Sequence, residues 1–301
     1  MYFSAFSNTL RSLVADDFNW ENYQSLENRF PKCDIRYLEV NLNAHTMPDI
    51  SLAFNCVDLE KNIAIVPEQL TSRYRDLLNL PITIRPAFLW VEIDKFSFEK
   101  LGLHASLNAR SPFFKLDKNI EYRTAIKYES LLSNTTTPSK FVESFYKNRS
   151  KNESIEHISC LHRDGKATLK YHVLLELDSL EDRLKQYEWP GEHSKLLKVI
   201  SHLSAVSTIS KAHFDISVRE NFLLEKLGIY LSMKLVEIDE YTKLVSEIIK
   251  SYCPDKLDLL PNLIEELKYS NFNKYWLDVK VVIEEDITVK LYFGESTSKN
   301  D

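Results

Sequence analysis

Glu92-Ile-Asp-Lys-Phe-Ser-Phe-Glu-Lys-Leu-Gly-Leu-His-Ala-Ser106 and Asp215-Ile-Ser-Val-Arg-Glu-Asn-Phe-Leu-Leu-Glu-Lys-Leu-Gly-Ile-Tyr-Leu-Ser232 carry nearly the same text: an alternating strand, a polar turn, and a second strand entered through Lys-Leu-Gly. An internal repeat identifies the building unit of a fold before any single element is assigned. Tyr37 to Val57, Glu156 to Leu177 and Trp276 to Glu295 fit the same template. Five hairpins are therefore placed near 37–57, 86–110, 156–177, 209–234 and 275–295. A unit that cannot bury its own face argues for one closed body, so a single domain is expected over 1–295, with a disordered polar tail at 296–301.

The segments between hairpins have helical periodicity. Pro67 to Leu78 places Leu70, Tyr74 and Leu77 on one stripe. Pro138 to Tyr146, Asp178 to Tyr187, Glu192 to Leu203, Val236 to Tyr252 and Pro261 to Tyr269 read likewise, and the first 30 residues read as helices. The order is hairpin, then helix or helices, five times over: an α+β chain of ββα(α) repeats.

Side chains alternate across a strand, so each hairpin has two faces. Leu38, Val40, Leu89, Val91, Leu227, Ile229, Leu277, Val279, Val289 and Leu291 share an apolar face that helices can cover. The opposite face carries Tyr37, Glu39, Phe88, Trp90, Glu92, His104, Lys170, His172, Lys211, His213, Asp215, Tyr230, Trp276, Asp278, Lys280, Lys290 and Tyr292. Tryptophan and tyrosine mixed with lysine and histidine suit an enclosed cavity better than a solvent face. Ten antiparallel strands can close on themselves, removing both edges and enclosing such a lumen. An open sheet with a solvated polar face is the structural alternative. The first strand of the third hairpin, around Ser159 and Leu161, does not alternate clearly.

Composition narrows the function. With a net charge of −6 and interspersed signs, no basic block can track a phosphate backbone, so no nucleic-acid partner is expected. No run of about 18 apolar residues exists, and Met1-Tyr-Phe-Ser-Ala-Phe-Ser lacks a basic region before an apolar core. A cytoplasmic protein without a membrane partner is the expectation. Cys33, Cys56, Cys160 and Cys253 lack metal or disulfide spacing, and the 5 glycines form no nucleotide-binding motif. His104, His172 and His213 are read as hydrogen-bonded residues of a polar cavity rather than metal ligands. No cofactor and no metal requirement are expected. The glycine of Lys-Leu-Gly marks a tight strand entry or room for a ligand.

The repeated hairpin–helix units, with Lys290-x-Tyr292, Lys170-x-His172 and Gly228-x-Tyr230 on successive second strands, resemble the ABBA or PT-barrel family of soluble aromatic prenyltransferases. The full Lys-x-Tyr pattern stands only at 290–292; histidine replaces the tyrosine at 172 and glycine the lysine at 228. The resemblance implies a ten-stranded barrel ringed by helices. It further implies that an allylic diphosphate and an aromatic acceptor, a small molecule or a peptide side chain, meet inside.

Ionising an allylic diphosphate requires fixed cations around its oxygens, which assigns Lys170, Lys211, Lys280 and Lys290 to diphosphate binding, with Lys234 as a further candidate. Tyr230 and Tyr292 would shield the carbocation, and Glu92, followed by Glu39 or Asp215, is the candidate base. Trp90, His104, His172, His213 and Trp276 complete the acceptor cavity.

The competing reading is a non-catalytic peptide- or small-molecule-binding accessory protein of a natural-product, ribosomal-peptide pathway. Glu39, Glu92, Asp215 and Asp278 on the same face favour it, since opposed charges suit a zwitterion or peptide. The last strand also loosely resembles the Lys-Ala-Tyr-Leu ending of bacterial proteins from small biosynthetic operons. A net positive lumen would favour the enzyme, and a balanced or acidic one the binder.

Overall fold

The computed structural model describes residues 3–14, 18–28, 30, 32–44, 48–55, 75–81, 83–93, 101–106, 118–163, 166–232, 237–271 and 274–297. Ten strands pair antiparallel with their sequence neighbours, and β1 pairs with β10, so the sheet closes into a barrel. They are β1 (Ile35–Asn41), β2 (Asp49–Asn55), β3 (Phe88–Ile93), β4 (Leu101–Ser106), β5 (Ser154–Arg163), β6 (Lys166–Glu176), β7 (Lys211–Arg219), β8 (Phe222–Ser232), β9 (Tyr275–Ile283) and β10 (Ile287–Ser296). Closure leaves every strand with two partners and no free edge.

The alternation sorts the chain as its sequence implied. Leu38, Val40, Leu89, Val91, Tyr171, Val173, Phe214, Ile229, Val279, Leu291 and Phe293 point outward into one continuous core under the helices. Those helices are α1 (Ser7–Leu13), α2 (Trp20–Glu27), α3 (Lys118–Ser133), α4 (Lys140–Asn148), α5 (Leu180–Gln186), α6 (His193–Val206), α7 (Ile238–Tyr252) and α8 (Leu260–Tyr269). The helix expected from Pro67 lies outside the described residues as far as Tyr74; Arg75 to Leu78 are helical, with Leu77 buried. β10 runs through Ser296, one residue into the expected tail, and the Thr297 N–H donates to Asp34 O.

The long helix α3 was not expected from periodicity, because its inward stripe is interrupted by polar groups: Thr124, Glu129 and Ser133 are buried beside Ala125, Tyr128 and Leu132. Glu129 explains how that stripe docks. Its carboxyl accepts from Ser139 Oγ (2.6 Å), the Ser139 N–H (3.2 Å) and the Tyr171 hydroxyl. Ser139 Oγ in turn caps α4 by accepting from the Val142 N–H. One buried acid thus ties two helices to the outer face of β6; burial raises its pKa against the pull of these donors.

The indistinct alternation of β5 has a local cause: a bulge between Ile155 and His157 shifts the register against β6. Ile155, Ile158 and Cys160 face the core, while His157 and Ser159 turn into the barrel. The β7–β8 turn holds Glu220 and Asn221 at positive φ (51° and 70°) between paired Arg219 and Phe222, a two-residue turn of the hand that hairpin twist favours.

Candidate functional site

The barrel interior contains a cavity of about 210 Å³, small beside the roughly 300–1,000 Å³ usual for small-molecule pockets. All ten strands send a side chain to it: Tyr37, Glu39, Ser51, Trp90, Glu92, His104, His157, Ser159, Lys170, His172, His213, Asp215, Tyr230, Ser232, Asp278 and Tyr292 form the lining, with Lys280 of β9 behind it. Ten of the twelve expected site residues thus stand in the lining or touch it on the same face. They are Glu92, Trp90, His104, Lys170, His172, His213, Tyr230 and Tyr292, with Lys280 touching the lining through Asp215 and Tyr230. Lys290 also reaches the lining, through Glu39.

Two of the expected residues stand outside the lining. Lys211 is the first residue of β7, opposite Glu176 at the strand end, and is outside the lining. Trp276 is 2 % exposed and lies across Gly294, its cross-strand partner, where a Cβ would come within 2.2 Å of the indole. It packs edge-on behind Tyr37 (5.6 Å, 75°), so it supports the wall rather than the cavity surface. Lys234 lies outside the described residues.

The lumenal charges are matched in pairs. Lys280 Nζ meets Asp215 Oδ2 at 2.5 Å, Lys170 Nζ meets Glu92 Oε2 at 3.6 Å, and Lys290 is bonded to Glu39. Two imidazoles share the same carboxylates: His172 Nδ1 donates to Asp215 Oδ1 (2.9 Å), and His104 Nε2 to Glu92 Oε2 (3.0 Å). Burial pushes both acids up, but for Asp215 the Lys280 ammonium and for Glu92 the Lys170 ammonium, helped by these histidines, hold the carboxyl well below the usual range. Burial likewise opposes ionisation of Glu39, which Lys290 and Lys280 nevertheless lower. Three ammonium groups thus face three carboxylates, with Asp278 as a further acid in the lining.

The Asp215–Lys280 pair spans the strand between them. Gly228 on β8 is directly opposite Asp215, and the lysine stem crosses it: a Cβ there would be 2.2 Å from Lys280 Cε and 3.2 Å from Asp215 Cβ. Room read from the sequence as a tight entry or a ligand space is occupied by a lysine from the neighbouring strand. That lysine brings its ammonium to 4.6 Å from the Tyr230 ring centre and 5.9 Å from that of Tyr292. An ammonium thus stands two residues from Tyr230 in space where the chain itself has glycine at 228.

An aromatic belt runs round the wall. Trp90 meets His157 edge-on (4.6 Å), His157 stacks on His172 (5.3 Å), and His172 stacks on His213 (4.9 Å, 14°) and abuts Tyr230 (4.8 Å). Tyr230 then meets Tyr292 at 5.1 Å. Burial, followed by Asp215 for Tyr230 and Glu39 for Tyr292, raises both hydroxyls well above their ordinary pKa, so both keep their protons. Burial and the neighbouring His172 lower His213 to about 4. His157, Ser159 and Ser51 are lining residues that strand alternation did not assign; for the first two the β5 bulge concealed their face.

No protein-family model and no curated protein sequence matches the chain. No helix among the described residues is long and apolar enough to cross a membrane. In structure the chain is similar to the crystal structure of 5-dimethylallyltryptophan synthase from Streptomyces coelicolor, with a TM-score of 0.62 over 98% of this chain and 97% of that one, at 10% identity. At that identity the likeness speaks for architecture alone: the two chains share a fold, which here is a closed, helix-ringed ten-stranded barrel.

Proposed function

We propose that the barrel is a binding chamber for one compact aromatic guest that carries both charges, such as an aromatic amino acid or an aromatic residue of a short peptide. The pairing with carboxylates of all three lumenal lysines among the described residues carries this reading. A guest with its own ammonium and carboxylate exchanges partners with such pairs without adding net charge, and its ring fits the belt from Trp90 to Tyr292. A diphosphate would have to draw lysines away from buried carboxylates, and breaking such a pair costs about 3–5 kcal/mol. The small cavity also suits one guest better than a donor and an acceptor together.

Transfer of an allylic group from a diphosphate to that aromatic guest is the second reading. The fold favours it, and so does the Lys280 ammonium over two tyrosine faces, because rings that stabilise one cation can stabilise an allylic one. In that reading Lys170, Lys280 and Lys290 hold the diphosphate, Tyr230 and Tyr292 screen the cation, and no metal takes part. Glu92, held well below the usual carboxylate range, then serves as a hydrogen-bond acceptor rather than a strong base.

The test is a fluorescence titration with phenylalanine-containing dipeptides, reading emission from Trp90 in the lining. Saturable quenching that disappears in Trp90→Phe, while calorimetry still detects binding, supports the guest chamber. Titration without any change in emission or heat would overturn it.

A further inference from the structure

Outside the barrel, the face formed by α3 and α4 departs from the charge of the chain. Residues 118–152 hold seven basic residues against three acidic ones, in a chain whose net charge is −6. Six of the basic ones, Lys118, Arg123, Lys127, Lys140, Lys147 and Lys151, are exposed, and among the described residues none of the six is held in an ion pair. The acids offset little of this. Glu129 is buried and Glu121 is paired with Arg149, which leaves Glu143 as the exposed carboxylate.

The same two helices enclose a groove. The Glu121–Arg149 pair sets the first turns of α3 beside the end of α4, and between them lies a space of about 230 Å³ lined by Lys118, Asn119, Tyr122, Glu143, Tyr146 and Lys147. Two rings form its apolar part: Tyr122 and Tyr146 meet at 5.5 Å and 57°, with the Arg149 guanidinium 4.8 Å from the Tyr146 ring centre. Helical spacing extends the charge along both walls, because Lys140 and Lys147 flank Glu143 on one stripe of α4 while Arg123 and Lys127 continue the row of Asn119 on α3. The space is below the roughly 300–1,000 Å³ of small-molecule pockets, so it takes a side chain or two of a polypeptide.

We propose that this groove docks an acidic polypeptide segment of a partner protein, with one apolar side chain set against Tyr122 and Tyr146 and the carboxylates around it against Lys118 and Lys147. Charge complementarity selects that occupant. A second copy presenting the same face would set lysine against lysine. A membrane would meet a concavity walled by Glu143, and among the described residues Ile120, 43 % exposed, is the one large exposed apolar side chain on the two helices. A peptide's backbone N–H groups, by contrast, can satisfy Glu143 while its carboxylates reach the lysines. The groove is on the outside of the helical ring, so the proposal stands apart from what the lumen holds.

The experiment is fluorescence anisotropy of the full chain with labelled peptides of about twelve residues, in which aspartate and glutamate flank a central leucine, at about 50 and 200 mM salt. Binding should be saturable and weaken as salt rises. Lys118→Glu with Lys147→Glu should lower affinity about tenfold or more, and Lys118→Gln with Lys147→Gln should give a smaller loss, which covers a fault specific to the reversed charges. Lys243→Glu with Lys268→Glu makes the same change of net charge at exposed positions on α7 and α8, and should leave affinity within about twofold. Tyr122→Ala should weaken the leucine peptide more than one with a central serine, since it removes part of the apolar contact. No binding, equal losses in the two charge-reversed variants, or indifference to the central side chain overturns the proposal. Tighter binding to anionic vesicles or single-stranded RNA than to the peptide also overturns it, as does a dimer in analytical ultracentrifugation that Lys118→Glu with Lys147→Glu dissociates.

Discussion

Replacing Asp215 by alanine removes the shared partner of Lys280 and His172 from a site where Asp215 is 6 % and Lys280 4 % exposed. The side chain lost is small, so cavity formation contributes little; the cost comes from leaving a buried ammonium unpaired, about 3–5 kcal/mol. For 301 residues the unfolding entropy is on the order of 0.6 kcal/mol/K, which converts the loss to a fall in Tm of about 5–8 °C. Differential scanning calorimetry at neutral pH reads it directly. Asp215→Leu with Lys280→Met replaces both charges by apolar groups and should return most of the loss, giving a coupling of about 2 kcal/mol or more between the positions. A fall of less than about 2 °C in Asp215→Ala would refute the reasoning, since it would mean that water screens the pair and the lumen is not a low-dielectric chamber.

Gly228→Ala should destabilise the protein by on the order of 3 kcal/mol, because the new methyl displaces the Lys280 stem from its path to Asp215. In a Lys280→Ala background the same substitution should cost less than about 1 kcal/mol, and additive denaturation midpoints would contradict the crossing. Stability should fall on acidification by two routes. Asp215 and Glu92, with folded pKa values below the unfolded ones, contribute stability above the ordinary carboxylate range that is lost as pH drops through their folded values. His213, lowered to about 4, resists a proton that the unfolded chain accepts near pH 6.5, so stability declines between those values by up to about 3 kcal/mol. His213→Phe should flatten that part of the urea-stability profile, and an unchanged slope would remove His213 as its source. Glu129→Ala should lower Tm through the buried Ser139 and Tyr171 hydroxyls it strands, at about 1–3 kcal/mol, with Glu129→Gln closer to wild type.

The barrel was legible in the sequence because a period of two leaves little freedom: once β6, β8 and β10 were aligned, Lys170, His172, Tyr230, Lys290 and Tyr292 had to share a face. What alternation cannot register was lost. The β5 bulge hid His157 and Ser159, and buried polar Thr124 and Glu129 hid the inward stripe of α3. Trp276 has the right parity for the lumen, yet the absent side chain at Gly294 lets its ring lie flat against the wall. The charge balance was legible only as composition. Lys280 meets Asp215 two strands away because glycine separates them, and such diagonal pairing depends on register between strands that the sequence does not contain.

The most direct measurement is calorimetric titration of the protein at neutral pH with dimethylallyl thiodiphosphate, an unreactive allylic diphosphate, beside a panel of aromatic amino acids and dipeptides. A charge-balanced lumen should bind a member of the aromatic panel saturably and the thiodiphosphate far more weakly. Micromolar binding of the thiodiphosphate at neutral pH, lost in Lys290→Ala, would contradict that balance and establish the prenyl-transfer reading in its place.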